Sequence, residues 1–337
     1  MGSRGKIFLK NFLWLGILLI PSNLPAVEIT PFSTQNRSPL VQIFGLPSIG
    51  DPFLLRPREA EARMVVDYAS NYVEDSNPRE SIILDGESAR ITLDARYGMA
   101  ERFEVGIALP YVVVGGGFLD NFIVGYHNAF GFPQGGRDQA PRNRLLYQYQ
   151  SDHRVALQID RCSQGIGDVQ LLGGFQLHES AGDPSRAIAL RAALKAPTGD
   201  SGELHGSGST DLSLWISAGD AYGTAIGRFT LFGAAGIMAM TRGNVLPDQQ
   251  RHWVGFGSLG GGWSPLRWIA FKVQANGNTP FYTGSELREL AAASVQLTIG
   301  GTLAFPRRIM LDVGVTEDLI VKTSPDVVFH LALRARF

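Results

Sequence analysis

The chain has 337 residues, of which 45 % are apolar and 18 % charged, with 40 glycines, a single cysteine and a formal net charge of −1. This balance excludes a disordered chain and argues against a helical bundle. It carries no basic stripe to neutralise phosphates, so nucleic acid is not an expected partner, and Cys162 alone supports neither an internal disulfide nor a metal site.

From the start of the chain, Arg4, Lys6 and Lys10 precede an apolar run, Phe12 to Ile20, and a break, "PSNLPA", ending at Ala26. This pattern predicts a secretory signal peptide over residues 1–26, too short to span a bilayer as a helix; Leu24 is a poor residue before the cut. Its removal leaves a mature charge near −1 − 3 = −4. Residues 27–58 follow with no clear strand pattern. They hold "PLVQIFGLP" and "DPFLLRPRE", and so apolar a segment is costly to leave in water. Ile43, Phe44, Leu46, Phe53 and Leu54 are the residues expected to pack inside a barrel if the segment is a plug; a periplasmic tether is the alternative.

From about residue 59 the pattern is alternation, which places successive side chains on opposite faces of a strand. Strands are predicted at 62–72, at "ARITLDARY" (89–97), "FEVGIALPYV" (103–112), "DVQLLGGFQLH" (168–178) and "AIALRAALKA" (187–196), and over 209–218, 228–239, 252–263, 267–276, 291–303, 308–316 and 327–337. Twelve strands is an even number, as bacterial single-chain barrels require. Shorter connections such as "GMAER", "SPL" and "PRR" alternate with longer ones near 73–87, 113–166, 198–208, 240–251, 277–290 and 317–326, the loop asymmetry of a membrane barrel. Tyr97, Phe103, Trp263, Trp268 and Phe305 collect beside the short turns, where an interfacial girdle belongs. The expected fold is therefore an all-β, antiparallel, up-and-down transmembrane barrel over 59–337. A soluble periplasmic sandwich is the alternative that also alternates.

The long extracellular loop, about 114–166, holds a candidate helix in "GFLDNFIVGYHNAF", with Phe118, Phe122 and Tyr126 and also Leu119 and Ile123 at i, i+4 spacing. It reads as a lid on the barrel mouth or as a collector of apolar ligand. By parity, Arg90, Asp94, Arg96, Glu104, Arg191, Lys195, Arg228, Lys272, Arg308, Asp312, Arg334 and Arg336 point into the lumen, an anion-leaning set; they either line a pore or merely solvate a wet, side-chain-filled interior. His127, His153, His205 and His252, with Ser207, Ser209 and Asp211, are the loop-side groups available to an outer-membrane hydrolase, but none lies in a hydrolase motif. No metal or cofactor signature is present.

The chain ends on a complete strand. Val327, Phe329, Leu331, Leu333, Ala335 and Phe337 form its lipid face and His330 points inward with Arg334 and Arg336. It must pair with the first strand, or two edges would leave backbone groups unsatisfied in hydrocarbon.

"SPLVQIFGLPSIG" (38–50), "GIALPYV" (106–112), "GIGDVQL" (165–171), "LKAPTGD" (194–200) and "TEDLIVKTSPDVVFH" (316–330) resemble an uncharacterised family of proteobacterial outer-membrane proteins, domain of unknown function 3187. "GIGDVQL" and "LKAPTGD" are also similar to motifs of other outer-membrane channels. The resemblance implies an outer-membrane barrel and brings no activity with it. The terminal Phe337, with Phe329, Leu331 and Leu333, resembles the signal read by the barrel-assembly machinery. Outer-membrane lipid and lipopolysaccharide are the expected surroundings, and a monomer the expected state. Passage of a small solute or apolar molecule is the favoured role, ahead of a structural or surface-interaction barrel, with a lipid hydrolase third.

Overall fold

The computed structural model describes residues 27–131, 136–180, 182–319 and 323–337, without the side chains of residues 126, 127, 129 and 130. The predicted signal peptide and the His127 side chain lie outside what is described. β-branched and aromatic residues in alternation carry the chain into fifteen strands among these residues: β1 (Ala60–Ser76), β2 (Glu80–Ala100), β3 (Phe103–Gly115), β4 (Leu146–Ser151), β5 (Arg154–Ile159), β6 (Ser163–Ile166), β7 (Gln170–Ser180), β8 (Ser185–Lys195), β9 (Asp211–Thr224), β10 (Gly227–Met240), β11 (Trp253–Leu266), β12 (Ile269–Asn278), β13 (Ser294–Phe305), β14 (Ile309–Asp318) and β15 (Val327–Arg336). Two helices, α1 (Asp120–Phe130) and α2 (Arg288–Ala291), sit in the loops. None of the described helices is long and apolar enough to cross a membrane.

Twelve strands, β1 to β3 and β7 to β15, close into one antiparallel barrel. The seam is β1 against β15, in register from Glu61 opposite Arg336 to Ser70 opposite Val327. Phe337 donates its N–H to the Ala60 carbonyl at 2.8 Å and accepts the Ala60 N–H at 3.1 Å, so pairing runs to the last residue. Closure removes both edges, the condition for backbone to sit in hydrocarbon.

The two faces differ as alternation demands. Leu93, Leu259, Ile299, Leu331 and Leu333 are exposed on the outside, whereas Ser88, Ser213, Gln274, Thr298 and Thr302 are buried inside. Near the short-turn rim, Phe229, Trp263 and Phe271 stack across three adjacent strands at 6.2 and 6.1 Å. Tyr97, Phe103 and Phe305 are exposed at the same level. An apolar belt edged by aromatics is the outer surface of an outer-membrane barrel, and this protein resides there.

The predicted long connection at 73–87 is instead strand: β1 runs to Ser76, β2 starts at Glu80, and only 77–79 turn. These ends stand above the bilayer, where lipid no longer imposes the apolar half of the pattern. There β4 pairs with residues 80–85 of β2, β5 pairs with β4, and β6 pairs with β3. The helix over 120–130 does not cap the mouth. Phe118 contacts Tyr68 at 5.4 Å and Phe122 contacts Phe329 at 6.4 Å, both on the outer flank of the β1/β15 seam, while Leu119 and Ile123 are buried.

Spin labels at Leu93, Ile107 and Leu333 should be relaxed by bilayer-dissolved oxygen, and a label at Gln274, which is 0 % exposed, should not. Electron paramagnetic resonance in reconstituted vesicles tests this, and equal oxygen access at all four sites would rule out the assigned faces.

Candidate functional site

The interior of the barrel holds residues 27–55 of the same chain. From 27 to 50 all are buried except Glu28, Arg37 and Ser48. The segment has no ladder of its own, and buried backbone groups must find partners elsewhere. Inward side chains of the wall supply them.

At the short-turn rim the Val27 N–H donates to the Arg267 carbonyl at 2.7 Å. Rising along β12, the Thr30 carbonyl accepts from Lys272 at 3.0 Å and the Phe32 N–H donates to Gln274 at 2.8 Å. At the outer end Asn36 donates to the Thr323 carbonyl at 3.0 Å, and the Leu40 carbonyl accepts from the Tyr282 hydroxyl at 2.9 Å. The segment turns over through 38–44 and descends along the opposite flank. The Gly45 N–H donates to Asp211 at 2.7 Å, Trp215 donates to the Ile49 carbonyl at 2.8 Å, Leu54 donates to Gln176 at 2.9 Å and Leu55 to Glu104 at 3.0 Å. It leaves past Gly98, where a Cβ would lie 2.0 Å from the Arg56 carbonyl oxygen. Gly50, at φ +71°, makes the last bend beneath the Arg191 guanidinium.

Five charge clusters stand between segment and wall. Arg37 of the segment reaches Asp67 at 2.6 Å, and His330 of the closing strand meets the same carboxylate at 2.6 Å. Lys195 lies between Asp168 and Asp211. Glu104 joins Arg96 at 3.3 Å and Arg191 at 3.0 Å, with Arg96 also on Asp94. Lys272 pairs with Asp312 at 2.9 Å and lies 4.0 Å from the centre of the Phe32 ring. Glu61 gathers Arg63, Arg334 and Arg336, with Glu28 of the segment on the last two.

Of the twelve lumen residues expected from parity, Arg90, Asp94, Arg96, Glu104, Arg191, Lys195, Lys272, Asp312 and Arg334 are buried and Arg336 half-buried. Arg228 and Arg308 are exposed at the short-turn rim, Arg308 against Glu59 at 3.3 Å. Among the apolar segment residues, Ile43, Phe44 and Leu46 are buried and Phe53 and Leu54 half-buried. Phe44 stacks on Phe281 at 4.9 Å. Around it lies an apolar cluster at the outer mouth that includes Tyr147, Tyr149, Phe256 and Leu287. Phe329, Leu331, Leu333 and Phe337 face outward.

The lumen set drawn from the sequence leaves out Asp67, Asp168, Asp211 and Trp215, although Asp168 lies on the polar face of its strand by parity and Asp211 stands among the loop-side groups. Trp215 carried a usable signal: it stands between Ser213 and Ser217 on the inward face of β9, where a large ring needs something to pack against. Among the described residues, the histidines and serines that could serve hydrolysis do not form one constellation. His205 bonds Ser163 at 3.1 Å, Ser207 and Ser209 run from Lys195 to Asp211, His252 bonds the Met240 carbonyl, and His153 is exposed. Burial holds the His205 imidazole below its ordinary value.

A profile described as "Protein of unknown function (DUF3187)" matches residues 8–337. No curated protein matches the chain. Among solved structures, the COG4313 outer membrane channel from Pseudomonas putida F1 superimposes with a TM-score of 0.54 at 12 % identity, over 84 % of this chain and 97 % of that one. The Ralstonia pickettii toluene transporter TbuX gives 0.36 at 12 % identity, over 94 % and 97 %, and the Pseudomonas putida toluene transporter TodX 0.32 at 10 %, over 94 % and 95 %. The first likeness concerns the fold; the other two are too loose to add to it.

Two outcomes follow from this geometry. Glu104→Ala strips Arg191 and Arg96 of a shared buried carboxylate and should cost about 3–5 kcal/mol, read by chemical unfolding in detergent. Asp51, half-buried, has its carboxyl pushed up to about 6 by burial and by Glu28, against the opposing pull of Arg334 and Arg336. A raised carboxyl value means stability that is full below 3.8 and lost as pH rises through about 6. The thermal midpoint should therefore carry a fall from about pH 4 to about pH 6 that levels off above it, and Asp51→Asn should flatten that fall.

Proposed function

This chain belongs to the DUF3187 family, and we propose that it is an outer-membrane channel held closed by its own N-terminal segment, passing a small, largely apolar solute when that segment moves. The role of channel is extended from the Pseudomonas putida barrel that shares its fold. The observation that carries the reading is the outer mouth, where Ile43, Phe44 and Leu46 of the segment pack with wall and loop residues in one apolar cluster. A solute of that character dissolves among such side chains, while below them the ion-paired belt admits nothing without rearrangement.

Residues 27–55 act as the plug, and the inward charges serve it as anchors before they serve any permeant. The final strand addresses the chain to the barrel-assembly machinery after export by the 1–26 signal, and the barrel works as a monomer amid lipid and lipopolysaccharide. Hydrolysis is no part of this reading, because the candidate groups among the described residues are dispersed.

Planar-bilayer recording tests it. The intact protein should be silent or flicker, and deletion of residues 27–55 should give steady unitary currents. Silence of the deletion variant, with its strand content intact by circular dichroism, would defeat the channel reading. Currents identical in both forms would defeat the plug.

A further inference from the structure

Arg90 is the exception among the buried arginines and lysines of the described residues. It is 7 % exposed on the inner face of β2, and its one hydrogen bond among the described residues runs from Nη1 to the Gln42 carbonyl at 3.3 Å. Asp67 stands opposite it in the β1–β2 ladder, but that carboxylate is occupied by Arg37 and His330. Asp168, the other carboxylate on this side, is occupied by Lys195. No described carboxylate lies within ion-pair distance of Arg90.

Beside it is a cavity of about 60 Å³ at the seam between segment and wall, lined by Arg37, Arg90, Arg96, Arg191, Thr92 and Asp94 among others. Asp94 is already held by Arg96 at 3.1 Å. Arg191 Nε has no partner among the described residues. Four arginines thus line a space whose single carboxylate is committed, and since Asp67 holds Arg37 and Glu104 holds Arg96 and Arg191, Arg90 is the one left without a carboxylate. An unpaired buried cation is costly, and a cavity needs only about 10–15 Å³ to hold a water-sized particle.

We propose that this cavity binds one small monovalent anion, of the size and charge of chloride, on Arg90, pinning the outer turn of the N-terminal segment to the wall. The anion neutralises the unmatched guanidinium and occupies donors that neither segment nor wall satisfies. Because the site joins the two through Arg37 and the Gln42 carbonyl on one side and Arg90 on the other, occupancy favours the seated segment. The site stands whether or not the barrel conducts.

Thermal unfolding in detergent, at constant ionic strength with sodium gluconate replaced stepwise by sodium chloride, reads the site directly. The midpoint should rise by about 2 °C or more and saturate. Arg90→Met should abolish the rise, while Arg228→Gln, at an exposed rim position, should keep it. No rise in the wild-type protein, or an equal rise in Arg90→Met, would overturn the proposal. Should Arg90→Met not fold, crystals of the wild-type chain grown in bromide decide: an anomalous peak beside Arg90 supports the site, and its absence sinks it in favour of water alone.

Discussion

Backbone N–H and C=O groups withdrawn from water must be given partners, and this molecule meets that demand twice by different means. In the wall the partners are other strands, and the ladder continues round the circle until Phe337 and Ala60 exchange both bonds. Inside, residues 27–55 run through space already enclosed and have no strand to join. There the partners are side chains: Gln176, Trp215, Gln274 and Tyr282 reach in to meet individual peptide groups. The inward faces of β7, β9 and β12 are therefore committed to particular stretches of the segment and do more than line a lumen.

The charges obey the same logic at higher cost. A buried ion is tolerable when its partner is close and its remaining donors and acceptors are used. Glu104 shows how completely this is done, since it takes two guanidinium groups and the Leu55 N–H together. Asp67 does likewise with the Arg37 guanidinium of the segment and the His330 imidazole of the closing strand. Arg37 therefore ties the segment to the seam where β1 meets β15, so seating of the segment and closure of the barrel share a residue.

How much of this is legible in the sequence depends on whether lipid touches the residues concerned. Strands facing hydrocarbon on one side and a polar interior on the other alternate plainly, and twelve of them, with the pairing duty of the last, can be read from period two alone. Above the bilayer that contrast vanishes, which is why 77–79 and the strands around it read as one long loop and why β4, β5 and β6 leave no trace. The segment is illegible for another reason. Its partners lie 122 to 242 residues away for Leu54 and Phe32, and contacts between an irregular strap and a wall impose no period. Parity identified Lys272 and Glu104 as inward but not what they hold; Trp215, too large for its serine neighbours, was the nearest thing to a clue.

The path of that strap has a topological consequence. It enters beside Arg267 and leaves beside Gly98, both at the same rim, having doubled back near Leu40. It is a bight, as a sailor would call a slack curve of rope, and among the described residues no free end is threaded through the ring. Hauling it out toward the periplasm, or reinserting it, needs neither a knot undone nor a strand parted, so removal and return exchange side-chain partners for water while the wall stays whole.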